Sequence, residues 1–305
     1  MRILVTGASG LLGLNLALEA AKHHTVFGVV NSNPIITDAF TTHQADLLAP
    51  GTIERLLELT QPDWVIHCAA LAILDACETD PVRAHQLNTE VPKKLAERVA
   101  RGGARMLHVS TDAVFDGQRG DYDEQDKPNP LGIYAQTKLE GEHAVSRANP
   151  DAIIARVNLF GWSLKGTRSL AEFFYNNLRA KKTVLGFTNV LFCPLLANDI
   201  APILLLMLEK NLSGLFHTVS SDCCSKFDFG VRIARRFELD ESLIVPASVE
   251  DAGLKTLRSP KLTLRTDKLA HALGETLPDI STGINHFYTL YQHGYPQYLW
   301  GLRTK

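Results

Sequence analysis

Three glycines near the start of the chain, Gly7, Gly10 and Gly13, lie between an apolar segment and an amphipathic one. Residues 2–6 are predicted to form a short buried strand, and residues 11–23 an amphipathic helix. A glycine-rich turn from strand to helix lets the backbone approach a pyrophosphate, which then meets the helix N-terminus. The spacing G-x-x-G-x-x-G differs from the generic G-x-G-x-x-G fingerprint, so a plain glycine-rich turn is the alternative. We expect a dinucleotide to bind here, in contact with Gly7, Ser9, Gly10, Leu11, Leu12 and Gly13.

Strand and helix patterns alternate through the first half of the chain. The predicted strands are residues 26–30, 64–68, 105–110 and 153–157, and the predicted helices are residues 53–59, 81–100 and a segment around Tyr134. This alternation is typical of a doubly wound parallel sheet. The second half is less regular, with predicted helices at 170–181, 199–210, 227–237 and 266–273 and a strand at 215–218. We therefore predict an α/β fold with a dinucleotide-binding Rossmann domain at residues 1–165 and a smaller substrate-binding lobe at residues 166–305, interleaved with the sheet at its edge.

Composition narrows the classes of function. The net charge of the 305 residues is -2, and no long basic run is present, so we expect no nucleic acid as a partner. The longest apolar runs are too short to cross a membrane, and the strand that follows Met1 and Arg2 leaves no room for a signal peptide. We expect a cytoplasmic protein. The aromatic segment 293–300 either covers an interface, as in a homodimer, or packs back on its own core, which we favour.

The five cysteines form neither a CxxC pair nor an evenly spaced framework. We expect reduced thiols at Cys68, Cys77, Cys193, Cys223 and Cys224. The histidines show no HExxH or similar spacing, so no metal site is expected.

Tyr134 and Lys138 are four residues apart in a segment with a helical pattern. That spacing places a phenol and an ammonium on one helix face, where the cation would lower the pKa of the phenol. Such a phenol can protonate a carbonyl oxygen that is being reduced, or accept the proton of an alcohol that is being oxidised. Because ligands gather at the carboxyl ends of parallel strands, Thr111, at the end of the strand 105–110, is expected to hydrogen-bond the same oxygen. A hydroxyl that caps a turn is the alternative.

In order along the chain, these motifs resemble the extended short-chain dehydrogenases/reductases, and among them the dTDP-4-dehydrorhamnose reductase family. The resemblance is specific over residues 1–165 and fragmentary beyond them. It rests on Thr6-Gly7-x-x-Gly10-x-x-Gly13, Val65-Ile66-His67-Cys68-Ala69-Ala70, Asp75-Ala76-Cys77-Glu78, Asn88, Ser110-Thr111-Asp112-x-Val114-Phe115-Asp116-Gly117, the acid- and proline-rich segment 122–130, and Tyr134-x-x-x-Lys138-Leu139-x-Gly141-Glu142.

The resemblance implies hydride transfer from a nicotinamide cofactor to the C4 carbonyl of a nucleotide-linked 4-keto sugar. Tyr134 would protonate the oxygen, Thr111 would hydrogen-bond it, and Lys138 would hold the nicotinamide ribose. Asn88 would support the active-site geometry and a proton path, although helix capping or packing could also explain it. The family pattern places Cys68, Ala69, Ala70, Asp46 and Leu47 against the cofactor; Asp46 would meet the adenine amino group or, alternatively, cap the helix that begins near Thr52.

The choice between NADP and NAD depends on the end of the second strand. NAD-specific sites usually place an acid there to hold the ribose hydroxyls, and this acid repels a 2′-phosphate. The chain has Asn31-Ser32-Asn33 at this point, with neither an acid nor a following Lys or Arg. We expect NADP to be preferred, with NAD as the alternative.

Substrate contacts are expected where the chain departs from the family. The loop before Asp75 is apolar, including Leu74, and Ala113 replaces the family's Tyr after Asp112. Asn158 stands where the family often has an aromatic residue, and Arg258 lies near the position of the family's Arg before a Pro. Arg258 suits a diphosphate, as does Arg168, although either could be a solvated surface side chain. These departures weaken the assignment of rhamnose as the sugar.

Two other functions stay open. A nucleotide-sugar epimerase would use the same residues and retain its cofactor, whereas a dehydratase needs an Asp-Glu pair and this chain has Asp112-Ala113. A cofactor-binding regulatory subunit, like that of methionine adenosyltransferase, would need no turnover. The intact Thr111, Tyr134 and Lys138 favour catalysis.

Overall fold

Seven parallel strands form a central sheet in the computed structural model, which describes residues 1–250 and 259–303. Their order is β11-β6-β5-β4-β1-β2-β3, so the predicted doubly wound α/β fold is confirmed. In chain order the strands are β1 (Arg2–Thr6), β2 (Thr25–Val30), β3 (Thr41–Gln44), β4 (Trp64–His67), β5 (Arg105–Thr111), β6 (Ile153–Val157), β7 (Leu159–Phe160), β8 (Val184–Phe187), β9 (Leu191–Phe192), β10 (Leu195–Leu196), β11 (Gly214–Thr218), β12 (Cys224–Ser225), β13 (Ile244–Ala247) and β14 (Lys261–Leu262).

Helices cover both faces of the sheet. They are α1 (Leu11–Ala20), α2 (Thr52–Thr60), α3 (Leu74–Thr79), α4 (Pro81–His85), α5 (Val91–Gly102), α6 (Ile133–Ala148), α7 (Leu170–Arg179), α8 (Ala197–Glu209), α9 (Lys226–Arg236), α10 (Asp267–Leu273), α11 (Ile280–Gln292) and α12 (Tyr295–Gly301). None of the helices within the described ranges is long and apolar enough to span a bilayer. The strands β4 and β6 are buried throughout, because helices shield them on both sides.

The second half of the chain contributes to the central sheet as well as to a separate lobe. Strand β11 pairs with β6 at the sheet edge, and the apolar helix α8 packs along α1. The remaining segments form three small sheets, β10-β7, β12-β9-β14 and β13-β8, surrounded by α7, α9 and α11. Helix α12 packs back on the core through Leu299 and Pro296, as we favoured for the aromatic segment 293–300.

The predicted helix 81–100 is interrupted by a π-helical turn, Gln86–Glu90, between α4 and α5. Pro92 lacks the N–H group that would bond the carbonyl of Asn88 in a regular helix. That carbonyl oxygen faces α6 so closely that a Cβ at Gly141 would lie 2.2 Å from it. Only glycine fits at position 141, and the turn brings Asn88 against the helix that carries Tyr134 and Lys138.

The expectation of five reduced thiols is wrong for two of them. Cys193 and Cys223 form a disulfide, whereas Cys68, Cys77 and Cys224 are free. The antiparallel pairing of β12 with β9 places Cys224 opposite Phe192, and hence Cys223 opposite Cys193. This proximity depends on strand pairing across 30 residues and has no signature in the cysteine spacing.

Candidate active site

The glycine loop leaves β1 and turns directly into α1. Gly7 has a φ of +71°, and a Cβ there would lie 2.7 Å from the backbone nitrogen of Ala69. A Cβ at Gly13 would lie 2.2 Å from the carbonyl oxygen of Gly7, which also accepts a hydrogen bond of 2.8 Å from the N–H of Gly10. No side chain from the described part of the chain caps the N-terminus of α1. The loop therefore presents backbone N–H groups beside the segment Cys68-Ala69-Ala70, an arrangement that fits a pyrophosphate.

The other expected cofactor residues lie along the same edge of the sheet. Asn31 is exposed directly after β2, and Leu47 is buried under the loop after β3. Asp46 is exposed, and its Oδ1 accepts a hydrogen bond of 3.0 Å from the N–H of Leu48. It therefore caps this turn and does not cap the following helix α2, whose N-cap residue is Gly51.

Thr111 and Tyr134 meet where β5 ends. The Thr111 hydroxyl donates to Asp112 Oδ1 at 3.1 Å and accepts from the N–H of Ala113 at 3.2 Å, so it also caps a turn. Tyr134 lies at the start of α6, and its side chain keeps some contact with solvent. Burial of the hydroxyl nevertheless raises the pKa of Tyr134 to about 12, and a hydrogen bond with Thr111 acts in the opposite direction.

The pKa of the Tyr134 phenol is raised, contrary to our expectation that a nearby Lys138 ammonium would lower it. The buried ammonium turns toward the sheet, where Nζ donates to the carbonyl oxygen of Val109 at 2.7 Å and lies 3.4 Å from His108 Nε2. The four-residue spacing did place both residues on one face of α6, but the position of a lysine head group depends on its acceptors. Burial lowers the pKa of Lys138 to about 8.

Asp112 lies beside this pair in a buried position. Its Oδ2 accepts a hydrogen bond of 2.6 Å from Asn158 Nδ2, which links the ends of β5 and β6. Burial raises the pKa of Asp112 to about 6, although the hydrogen bonds from Asn158 and Thr111 favour the carboxylate. Two of the expected substrate residues therefore contact each other and lie next to Thr111.

Asn88 connects the loop after β4 to α6. Its Oδ1 accepts from the N–H of Leu71 at 2.9 Å, and its Nδ2 donates to the carbonyl of Leu71 and to Thr137 Oγ1, each at 3.1 Å. The side-chain amide of Asn88 is therefore buried, and its oxygen and nitrogen both form hydrogen bonds within the protein. Leu74, partly exposed, begins α3 in the same region, and Glu78 of that helix accepts the N–H of Ile133 at 2.9 Å, which fixes the start of α6.

Two candidates for binding the diphosphate remain. Arg168 is exposed in the loop before α7, and Arg258 lies outside the described residues. Within residues 1–250 and 259–303 no cluster of His, Cys, Asp and Glu could hold a metal ion.

Sequence reasoning missed a buried ionic network beneath the site. Arg156 binds both carboxylate oxygens of Glu142, at 2.9 Å from Nε and 2.7 Å from the terminal nitrogen, and Ser110 Oγ donates to Glu142 Oε1 at 2.5 Å. The Arg156 guanidinium also lies over the Phe115 ring, 4.9 Å from its centroid. A charged residue within the apolar segment 153–157 was the available signal.

A pair of buried histidines was missed as well. The register of β1, β4 and β5 places Thr6, His67 and His108 side by side, and the two imidazoles stack with centroids 5.4 Å apart. His67 Nδ1 lies 2.7 Å from Thr6 Oγ1, and burial together with the Lys138 charge lowers the pKa of both imidazoles, that of His67 to about 3. Both rings are therefore neutral, and His108 Nε2 can accept a hydrogen bond from Lys138.

Comparison with known proteins places this site in a family. The chain is 33% identical over 286 residues to a probable low-salt glycan biosynthesis reductase, Agl14, of Haloferax volcanii, with 92% of this chain and 95% of that protein covered. It is 30% identical to methionine adenosyltransferase 2 subunit beta of Danio rerio, covering 88% of this chain and 84% of that protein. A solved structure of a hypothetical dTDP-4-dehydrorhamnose reductase from Sulfolobus tokodaii has a TM-score of 0.81 and 28% identity, covering 92% of this chain and 99% of that one.

The family model of the RmlD substrate binding domain matches residues 1–293, which include the glycine loop, Thr111, Tyr134 and Lys138. With this match and the similarity to Agl14, the chain belongs to the RmlD family of extended short-chain dehydrogenases/reductases.

Proposed function

We propose that the protein is an NAD(P)-dependent oxidoreductase that reduces the C4 carbonyl of a nucleotide-linked 4-keto-deoxysugar. The observation that carries the proposal is the convergence of Thr111, Tyr134 and Lys138 beside the glycine loop, at the carboxyl ends of parallel strands. Ligands of doubly wound sheets bind at this edge. The similarity to a glycan biosynthesis reductase and to a dTDP-4-dehydrorhamnose reductase supports a sugar nucleotide as substrate.

The cofactor-binding residues fit a dinucleotide. The uncapped N-terminus of α1 and the glycine at position 7 accommodate the pyrophosphate, and the strand end at Asn31 carries no acid against a 2′-phosphate. When bound, the nicotinamide supplies the hydride. Lys138 directs one of its three N–H donors to the Val109 carbonyl and a second to His108 Nε2, which leaves one for a ribose hydroxyl. We propose NADP as the preferred cofactor, with NAD as the alternative.

Tyr134 acts as the general acid. Its pKa, raised to about 12, keeps the phenol protonated at neutral pH, as a proton donor requires. As the carbonyl carbon receives the hydride, the oxygen takes the phenol proton, and solvent later returns a proton to Tyr134. Thr111 hydrogen-bonds the same oxygen and orients it toward the phenol.

The substrate is held by residues from both halves of the chain. Asp112 and Asn158 lie next to Thr111 and provide polar contacts to the sugar, and Leu74 lies on the loop side. We assign residues 1–165 to dinucleotide binding and catalysis and residues 166–305, including Arg258, to binding of the nucleotide diphosphate. The dTDP-rhamnose pathway is the specific case suggested by the family.

A panel assay tests the function. NADPH oxidation is measured with dTDP-linked and other nucleotide-linked 4-keto sugars. The same assay is run on the variant Thr111→Val, which keeps the shape of the side chain and removes its hydroxyl. We expect turnover with at least one sugar and a marked loss of it in Thr111→Val. Turnover that is unchanged in this variant contradicts the site.

The similarity to methionine adenosyltransferase 2 subunit beta supports a second candidate, a cofactor-binding regulatory subunit. This function requires tight NADP(H) binding and no sugar reduction. Calorimetric binding of NADPH, combined with no turnover across the panel, would favour the regulatory role. A co-purification with a catalytic partner would then identify the enzyme that it regulates.

A further inference from the structure

The end of β2 lacks a local cation for the phosphate that distinguishes NADP from NAD. No Lys or Arg occurs between Lys22 and Arg55 in the sequence. Asn31 and Ser32 are exposed, and they are neutral. Selective binding of a dianionic phosphate in water requires a positive charge, so any such cation must come from another part of the chain.

The segment after α12 brings an arginine to this loop. The N–H of Ile36 donates to the carbonyl of Leu302 at 2.8 Å, and Ile35 and Arg303 form an antiparallel bridge. Ile35 and Leu302 are both buried in the core cluster that includes α1. Ile35 follows Asn31 by four residues, which span at most about 14 Å even when fully extended.

Helix α12 fixes the direction from which this arginine arrives. Tyr295 at its start donates a hydrogen bond of 2.6 Å to Asn15 Oδ1 in α1, the helix that begins at the glycine loop. Trp300 at its other end lies against Gly166, whose added Cβ would be 3.1 Å from the indole ring. The position of Arg303 therefore depends on packing against α1 and on backbone pairing with the loop after β2.

The Arg303 side chain is available for an anion. It is exposed, and its Nε donates to the carbonyl of Trp300 at 3.1 Å, which holds the guanidinium at the end of α12. Among the residues that the structure describes, no carboxylate forms an ion pair with it, and its two terminal nitrogens have no hydrogen-bond partner. Two parallel N–H groups of a guanidinium match two oxygens of a phosphate.

We propose that Arg303 is a specificity-determining residue that binds the 2′-phosphate of NADP(H). The preference for NADP then comes from a residue that is far in sequence from β1, α1 and β2, which form the dinucleotide-binding unit. The inference rests on the dinucleotide-binding part of the proposed function and is independent of the sugar.

Calorimetry with the full chain tests this role without turnover. Dissociation constants are measured for NADPH, NADH, 2′,5′-ADP and 5′-AMP in the wild type, Arg303→Ala and Arg303→Lys. We expect Arg303→Ala to weaken NADPH and 2′,5′-ADP by on the order of tenfold or more, and NADH and 5′-AMP by less than about twofold, since only the first two carry the phosphate. Arg303→Lys should keep part of the preference because it retains a point charge.

The matched control is Arg101→Ala, which removes an exposed arginine at the end of α5 and should leave all four dissociation constants unchanged. Equal weakening of NADPH and NADH by Arg303→Ala, or unchanged NADPH binding, overturns the inference. A panel assay without sugar turnover, combined with an Arg303-dependent preference for NADPH, would reject the sugar assignment and leave the inference intact.

Discussion

At Tyr134, burial and hydrogen bonding act on the phenol in opposite directions, and burial dominates. The variant Tyr134→Phe keeps the ring and removes the proton donor. We expect turnover to fall by about 10²–10⁴, the usual contribution of general acid catalysis, with the NADPH dissociation constant nearly unchanged. Steady-state kinetics and calorimetry on the same preparation measure both quantities. Turnover at the wild-type rate would exclude Tyr134 as the acid.

Asp112 makes the free energy of unfolding depend on pH. Its pKa in the folded protein is raised from 3.8 to about 6, so its carboxylate form is disfavoured by burial. The folded state therefore loses stability as pH rises through this range, by roughly 3 kcal/mol for two pKa units. Asparagine does not titrate in this range. We therefore expect the free energy of unfolding of Asp112→Asn, relative to that of the wild type, to increase by about this amount from pH 4 to pH 7.

Urea denaturation of the two proteins at both pH values tests the Asp112 prediction. The difference between the proteins isolates Asp112, because all other titrating groups are shared. If that difference does not change with pH, the carboxyl titrates normally and is not buried as described.

His108 provides an acceptor for the Lys138 ammonium. The variant His108→Leu removes that acceptor, so the pKa of Lys138 should fall further and its hold on the cofactor ribose should weaken. We expect the NADPH dissociation constant to rise about fivefold, the equivalent of ~1 kcal/mol of lost hydrogen bonding, and more steeply above pH 7. Calorimetry at several pH values measures it.

The matched control for this prediction is His67→Phe, which keeps an aromatic ring stacked on His108 and forms no hydrogen bond with Lys138. It should change the NADPH dissociation constant by less than about twofold. Similar weakening in both variants would assign the effect to packing of the two rings and not to the acceptor.

At the scale of elements, the disulfide Cys193–Cys223 joins the turn between β9 and β10 to the segment before β12. A closed loop of 30 residues lowers the entropy of the unfolded chain, which stabilises the fold by about 3–4 kcal/mol in the chain-entropy model. The double variant Cys193→Ser/Cys223→Ser should lose this amount, measured by urea denaturation. Cys224→Ser is the control, since its thiol is free. Equal stability with and without a reductant in the wild type would contradict the bond.

Elements were predictable from the sequence where their pattern is local. The strands of the central sheet and the helix around Tyr134 follow from apolar periodicity, and the glycine loop from its position between strand and helix. The π-helical turn at Gln86–Glu90 was not predictable, because it depends on Pro92 together with the approach of Gly141 from another helix. The orientation of the Lys138 ammonium toward the sheet was not predictable either, because its hydrogen-bond acceptors belong to β5 and not to its own helix.

At the scale of the whole molecule, the two halves of the chain complete each other. Strand β11 covers β6 at the sheet edge, and α8 covers the apolar side of α1. Expression of residues 1–165 alone would expose both surfaces, and an open, apolar sheet edge promotes association. We expect this fragment to be aggregated or partly unfolded by size-exclusion chromatography and circular dichroism, and to become soluble when residues 166–305 are co-expressed. A monomeric, cooperatively folded fragment would contradict this dependence.

The long-range contacts were the least predictable part of the site. Arg303 reaches the loop after β2 through backbone pairing over more than 260 residues, and Arg156 reaches Glu142 only after β6 and α6 have packed. Neither pair has a fixed spacing. The candidate catalytic residues Thr111, Tyr134 and Lys138 could be proposed from the sequence because they are close in sequence or end a strand. The contacts of Arg303 and Arg156 are set by tertiary packing.

The placement of β11 also bears on how this family can diversify. A substrate lobe that supplied only surface loops could be exchanged between relatives as a unit. In this chain, an exchange of everything after residue 165 would also replace β11 of the central sheet and α8, which packs on α1. A recombinant enzyme with new sugar specificity would have to preserve β11 and α8 from the parent that supplies the glycine loop. New specificity is therefore expected to arise more readily from point substitutions around Asp112 and Asn158 than from shuffling whole halves of the chain.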